Sequence, residues 1–379
     1  MTEGYLTSVK TYSTSDGKKL SIQDMLDYFV QKGAMRVSDL HLKVSAPPTY
    51  RIDGDLVKLK GPPVTPQIIK QLIYPLLSNE NLTKFESEHS VDCSYRFGAL
   101  QFRINVFQES DGICAAIRAL SLNIPQVEEI GFPNNVWEDI VERKQGLILV
   151  TGITGAGKST TIASLIDRIS EKRACRIITI EDPIEYIFQQ KHSIISQREI
   201  GRDVKSFIDG LRSMMREDPD IIFVGEMRDP ETIAMTLMAA ETGHLVFSSL
   251  HTRDATGTVT RILDYFPEGR QSEVRNQLSL GLSHIICQKL LPHKDGLGRI
   301  VAMEILNNNN YACANQIRIG KVEQLYSLLQ TKTKDRPDEK MMTMESHLAQ
   351  LVKEDKVDLA EAQKWANDLG SFADAMKRD

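Results

Sequence analysis

The chain is poor in cysteine. Cys93, Cys114, Cys175, Cys287 and Cys313 are scattered through 379 residues, and no C-x-x-C pair occurs. That spacing excludes a disulfide framework and a four-cysteine zinc site, and suits buried free thiols in a reducing cytosol. An excess of basic charge is also missing: 46 Lys and Arg against 51 Asp and Glu leave a net charge of −5. A nucleic-acid binder shows a basic domain or patch, so the overall balance argues against such a partner and leaves room only for a local basic groove. No stretch approaches the roughly 18 apolar residues of a membrane span. The opening residues, MTEGYLTSVKTYSTSDGKKL, lack the apolar core of a signal peptide. No internal repeat or low-complexity tract is present. The expectation is a cytoplasmic protein with room for two or three domains.

Residues 1–20 are polar and expected to be loose. Ile22, Met25, Leu26 and Phe29 recur at helical spacing. Strand-like runs follow at 39–44, 49–52 and 56–59, the last two flanking the turn Asp53-Gly54-Asp55. A helix is expected over 68–77, and strands over 92–95, 100–107 and 113–120. Residues 1–120 therefore read as a small α+β domain. A linker over 121–133, with Pro125, Gly131 and Pro133, leads to residues 134–379. There strands alternate with long helices, as in a parallel α/β domain. Its strands are expected at 147–151, 177–180, 221–224, 245–249 and 300–306. The segment TKTKDRPDEK, residues 331–340, reads as a charged loop. Beyond it, Met344, Leu348, Leu351 and Val352 mark one helix and residues 357–376 another.

The run GLILVTGITGAGKST, residues 146–160, fits G-x-x-x-x-G-K-[ST] at Gly152, Gly157, Lys158 and Ser159. Its context fits too: an apolar strand precedes it, and Ile162, Leu165, Ile166 and Ile169 follow at helical spacing. Glycines let backbone N–H groups close around a polyphosphate at a helix N-terminus, where the dipole favours anions. Gly152, Thr154, Gly155, Ala156, Gly157, Lys158, Ser159 and Thr160 are thus the expected nucleotide cradle. Lys158 would reach the β- and γ-phosphates, and Ser159 would ligate Mg²⁺.

Three more segments carry chemistry. In DPDIIFVGEMRD, an apolar strand ends at Glu226, a carboxylate placed to hold Mg²⁺ through water or to polarise attacking water. In ITIEDPIEY, Glu181, Asp182 and Glu185 follow another strand, at the end of the sheet where α/β folds bind ligands. Hydrolysis needs such a group to orient and deprotonate water. In AETGHLVFSSLHT, His244 precedes a strand and His251 follows it. They can sense phosphate or relay conformation, and they lack the H-E-x-x-H spacing of a metal site. Phosphoryl transfer also profits from an arginine, and Arg96, Arg103 and Arg118 lie on strand-like segments of the first domain. The residues alone do not choose among them.

Together these segments resemble the secretion ATPases of the type II secretion and type IV pilus superfamily, and within it the PilT-type retraction ATPases. Ser38-Asp39-Leu40-His41-Leu42 resembles the ASDLHL segment, and Phe102-Arg103-Ile104-Asn105-Val106-Phe107 the FRVNAF strand. ITIEDPIEY resembles the Asp box, VGEMRD the Walker B motif and AETGHLVFSSLHT the His box. Thr260-Arg261-Ile262-Leu263-Asp264 with Phe266-Pro267 fits a further signature. The resemblance implies an α/β fold: a PAS-like N-terminal α+β domain joined to a C-terminal RecA-like ATPase domain with a parallel sheet and a helical tail. It implies ATP and Mg²⁺ as ligands, in a homo-hexamer at the cytoplasmic face of the inner membrane. By position it makes Glu185 the general base, Glu226 the Mg²⁺-associated acid, and His244 and His251 the His-box pair. Arg103 and Arg118 become the arginines that reach the nucleotide, and Arg96 has no counterpart. A membrane platform protein and a paralogous retraction ATPase are the implied partners.

Extension and type II secretion ATPases carry a zinc insertion with paired C-x-x-C motifs and an extra N-terminal domain. Here Cys287-Gln288-Lys289-Leu290-Leu291-Pro292 runs directly to Gly296, and the short N-terminus is expected to leave no room for the domain. Ala314-Asn315-Gln316-Ile317-Arg318 with Gly320-Lys321 is similar to the AIRNLIRE segment of retraction ATPases, without its leading Ala-Ile-Arg. Ser248-Ser249 replaces the usual Gly-Thr, residues 331–340 replace a glycine-containing connection, and the first twenty residues are extra. The expected function is ATP-driven pilus retraction. The alternatives are a pilus-assembly or type II secretion ATPase and a PilU-like accessory motor.

Overall fold

The computed structural model describes residues 6–32, 36–52, 55–98, 100–120, 124–296 and 298–378. The turn expected at 53–54 and the first three linker residues lie outside them. The chain divides into two units, Met1–Asn123 with Glu185–Ile187, and Ile124–Ile184 with Phe188–Asp379.

The first unit opens with a hairpin of β1 (Tyr12–Ser13) and β2 (Lys19–Leu20), followed by α1 (Ile22–Lys32). β3 (Val37–Lys43), β4 (Thr49–Ile52) and β5 (Asp55–Lys58) precede α2 (Pro66–Ile73) and α3 (Asn79–Glu88). β6 (Ser90–Phe97), β7 (Leu100–Glu109) and β8 (Gly112–Leu120) complete an antiparallel sheet of order β5-β4-β3-β8-β7-β6. Alternation sets its two faces. One carries the cross-strand row Tyr50, Leu40, Ile117, Ile104, against which α1 packs Met25, Leu26 and Phe29. The other carries the row Arg51, Asp39, Arg118, Arg103.

The opening segment is not loose where it is described. Tyr12 is fully buried and its hydroxyl donates to Pro62 O at 2.9 Å. A large aromatic side chain can anchor an otherwise polar segment, because its buried area outweighs the polarity of its neighbours.

The second unit is a seven-stranded sheet of order β11-β10-β12-β13-β9-β14-β15. Its strands are β9 (Gly146–Thr151), β10 (Arg176–Glu181), β11 (Ile194–Glu199), β12 (Ile221–Val224), β13 (Leu245–Leu250), β14 (Leu282–Pro292) and β15 (Arg299–Asn307). All neighbours run parallel except β14 and β15, which form an antiparallel edge. Helices α4 (Val136–Glu142), α5 (Lys158–Lys172), α6 (Phe207–Met214), α7 (Pro230–Glu241), α8 (Ala255–Asp264) and α9 (Glu268–Gly281) connect or cover the strands. The interior strand β9 is buried at every residue, which is why its sequence is an unbroken apolar run.

After β15 come α10 (Tyr311–Ile319), α11 (Leu325–Asp335), α12 (Met344–Lys353), α13 (Leu359–Trp365) and α14 (Leu369–Lys377). The expected loop at 331–340 is largely the end of α11 and a 3-10 turn, Pro337–Glu339. Lys334, Asp335, Arg336 and Asp338 face solvent, Lys332 pairs with the half-buried Glu339 at 2.6 Å, and Leu325 and Leu329 are buried. The single helix expected over 357–376 is two, because Asp368 starts a new one by accepting from Ser371 N at 2.5 Å. Their apolar faces join Met344, Leu348 and Leu351 over Leu291 and Ala302.

Candidate functional site: a phosphate loop ringed by strand ends

β9 ends at Thr151, the loop turns, and α5 begins at Lys158. Gly152 has φ +146°, and a Cβ there would meet Gln288 O at 2.5 Å and Ala156 Cβ at 2.9 Å. The loop therefore lies directly on β14, with no space for a side chain. Gly155 and Gly157 have φ of +79° and +85°, and a Cβ on either would face open space. This concave backbone, at the start of a 15-residue helix, fits a polyphosphate. The Lys158 ammonium donates to Gly152 O at 3.0 Å and Ile153 O at 3.3 Å.

The tips of β12 and β13 stand beside the loop. Lys158 Nζ lies 3.4 Å from His251 Nδ1, and His251 Nε2 lies 3.3 Å from Glu226 Oε1. The other Glu226 oxygen accepts from Arg228 Nε at 2.8 Å, and the same guanidinium lies 3.6 Å from Asp182. Hydrogen bonding to Glu226 pushes the Arg228 pKa up, so this arginine stays charged. The strand tips are cross-braced: Gly225 N donates to Ile180 O at 2.8 Å, and Ser249 Oγ donates to Gly225 O at 2.6 Å. Lys158, His251, Glu226, Arg228 and Asp182 thus form one polar chain from the phosphate loop across three strand ends.

Arg228 belongs to a quoted motif, but nothing in its spacing announced that it would hold Glu226. The buried Glu199 was also missed. It accepts from Ile184 N at 3.2 Å and anchors the turn after β10. Glu181 is buried beneath the site, where it accepts from Thr179 Oγ1 and Gln197 Nε2, so it braces β10.

The other expected groups have their own surroundings. Glu185 is exposed in the segment after β10 and has no polar partner among the described residues. His244 precedes β13 while His251 follows it, so six strand residues separate them by roughly 20 Å at about 3.3 Å each. A strand rise that long keeps His244 out of its own chain's Lys158–Glu226 corner. Its Nδ1 lies 2.9 Å from Ala239 O at the end of α7. Arg103 and Arg118 are cross-strand partners in the first unit. Arg118 donates to Asp39 at 2.7 Å and Arg103 lies 3.7 Å from Asp92, with side chains 66% and 46% exposed.

Magnesium binds through few protein groups and keeps several waters. The Ser159 hydroxyl and the Glu226 carboxylate suit that role. Among the described residues no group of three or more His, Cys, Asp or Glu forms a closed metal cage. No described helix is long and apolar enough to cross a membrane.

A parallel sheet with a glycine loop, a lysine-headed helix and an acid on the next strand tips defines a phosphate-loop nucleotide-binding protein. The family model for type II/IV secretion system proteins matches residues 18–370, and the chain belongs to that family. It is 42% identical over 313 residues to the type IV pilus retraction ATPase PilT of Pseudomonas aeruginosa, covering 82% of this chain and 89% of that protein. It is 39% identical to the twitching motility protein of Neisseria gonorrhoeae, with 86% of each chain covered. PilU of Pseudomonas aeruginosa is 33% identical over 94% of each chain. Among solved structures, the pilus retraction motor PilT with bound ADP aligns with a TM-score of 0.84 and 45% identity, covering 94% of this chain and 99% of that one.

Proposed function

We propose that this protein is a Mg²⁺-dependent ATPase that drives type IV pilus retraction, working as a homo-hexamer on an inner-membrane platform protein at the cytoplasmic face. The unbroken chain Lys158–His251–Glu226–Arg228 carries this reading. It links the phosphate loop to the tips of β12 and β13, so a change in phosphate charge at Lys158 is felt at Glu226. The likeness to a pilus retraction ATPase and to a twitching motility protein along most of the chain supports the direction of the motor.

In this reading residues 152–160 hold the phosphates of ATP, and Ser159 and Glu226 hold the metal. When bound, Mg²⁺ would supply charge neutralisation on the phosphate oxygens. Glu185 takes the proton of the attacking water. Arg103 and Arg118 from a neighbouring copy add positive charge to the γ-phosphate and draw that copy inward. Closure of this kind requires tighter binding in the closed state than in the open one, and arginines arriving in trans supply that difference. His244, far from its own chain's phosphate loop, acts in this scheme by relaying conformation rather than by touching phosphate.

Lys158→Ala and Glu226→Ala, assayed for phosphate release, should each abolish turnover. Near-normal activity in either would sink the site assignment. Deleting the gene should leave cells with more surface pili; cells left bald would instead identify an assembly motor.

A further inference from the structure

Glu304 sits in the interior of β15 with 1% of its surface exposed. Its Oε1 accepts from Ala255 N, the first residue of α8, at 2.7 Å. Its Oε2 makes no hydrogen bond of normal geometry, although the backbone N–H of Met344 at the start of α12 faces the carboxyl, and burial pushes the pKa up to about 7. A carboxylate kept in such a place serves a contact, because a buried acid otherwise costs free energy. The contact made here is at a helix N-terminus, where an acceptor and negative charge are both favourable. α8 already has an N-cap in Asp254, which accepts from Gly257 N at 2.6 Å. Glu304 therefore adds a second, outside fastening to the same helix start.

What that fastening controls follows from chain length. Only Thr252, Arg253 and Asp254 separate His251 from α8. On its other side His251 follows β13, whose Leu250 is paired with Thr151 of β9. The loop is thus pinned at both ends, at one end by the sheet and at the other by Glu304. Thr252 is further tied to Thr258 of α8, hydroxyl to hydroxyl, at 2.6 Å. A second path leads the same way. Glu304 is the cross-strand partner of Cys287, whose sulfur accepts from Thr151 Oγ1 at 3.1 Å. Thr151 is the residue before the phosphate loop.

We propose that Glu304 is a positioning residue for the nucleotide site, clamping the start of α8 so that His251 is held between Lys158 and Glu226. This rests on the ATPase reading above, with His251 as the group that Glu304 acts through. Glu304 touches no phosphate in this arrangement. The charged and titratable groups around it are Asp254 at the N-cap of α8, Glu345 on α12, and Cys287 and Lys289 on β14.

The test compares kcat and KM for ATP in the wild type, Glu304→Leu, Glu304→Gln, His251→Ala and the double variant Glu304→Leu/His251→Ala, with folding followed by thermal melting. Glu304→Leu removes the acceptor and should lower kcat at least 10-fold while KM moves less than about 3-fold, since the phosphate loop itself is intact. Glu304→Gln keeps an oxygen for Ala255 N and should stay within about 3-fold of wild type. In the double variant the Leu substitution should add almost nothing to the loss from His251→Ala, as expected when two residues act through one contact. If His251→Ala alone retains full turnover, the site reading fails. If His251→Ala is impaired but Glu304→Leu is not, or the two losses multiply, the positioning role is overturned. Should Glu304→Leu fail to fold, Glu304→Asp replaces it; that change withdraws the oxygen by one methylene and carries the same expectation.

Discussion

Replacing Gly152 by alanine tests how closely the phosphate loop is seated on its sheet. An added Cβ would lie 2.5 Å from Gln288 O and 2.9 Å from Ala156 Cβ, on a backbone with φ +146°. The first neighbour is main chain of β14 and cannot rotate away, so relief needs a shift approaching 1 Å. A disfavoured backbone conformation costs about 1–3 kcal/mol, and forcing an extra carbon into a packed site about 1–3 kcal/mol. The sum is on the order of 4 kcal/mol, which at about 2–4 °C per kcal/mol lowers Tm by roughly 8–16 °C. A displacement near 1 Å at the phosphates can also lower turnover by about 10²-fold. Gly201→Ala is the reference: it too has positive φ, +80°, but its Cβ would meet nothing within 4 Å. That variant should show the backbone cost alone, about 1–2 kcal/mol. Differential scanning calorimetry on both proteins decides. A Gly152→Ala protein melting within 2 °C of Gly201→Ala, at about the precision expected from the scaling, would refute the close seating of the loop.

Two further outcomes are expected. His251→Ala should reduce ATP turnover far more than His244→Ala, because only His251 meets Lys158 and Glu226 in its own chain; equal losses measured on the assembled protein would mean that His244 enters a site formed with another copy. Stability should also fall with acid through His284, whose burial beside Arg143 and Lys340 pushes its pKa down to about 3. The unfolded chain binds that proton near pH 6.5. His284 therefore contributes fully above pH 6.5 and loses its contribution as pH falls toward 3. By pH 5 the loss is on the order of 2 kcal/mol. Urea midpoints should drop between pH 8 and pH 5, and drop less in His284→Gln.

The nucleotide site was legible where local chemistry writes itself into sequence. β9 is buried on both faces and so reads as a plain apolar run, and its loop places Gly152, Gly155 and Gly157 close together at positive φ. β14 was not legible, although it supports that loop, because His284 and Gln288 interrupt its apolar character. Both are buried: Gln288 donates to Thr161 Oγ1 at 2.9 Å across the fold, and His284 Nδ1 lies 2.8 Å from the hydroxyl of its neighbour Ser283. β11 was hidden for the opposite reason. It is an edge strand whose Ser196, Gln197 and Arg198 face partly outward. Charges on the surface of α11 concealed its last turn, since a helix exposed on one side and a loop share composition there. The Glu226–Arg228 bond depends on how the chain turns after β12, which two-residue spacing does not reveal.

Tyr12 has a consequence best put as correlated variation between two positions. Its phenol oxygen crowds the place of a Cβ on residue 61, and Ser13 O stands 3.1 Å from the same point, so glycine fits there. The family match begins at residue 18, after the tyrosine but before the glycine. Loss of the Tyr12 ring would leave Ser13 O as the remaining obstacle to a side chain at position 61, so the two positions are expected to vary together.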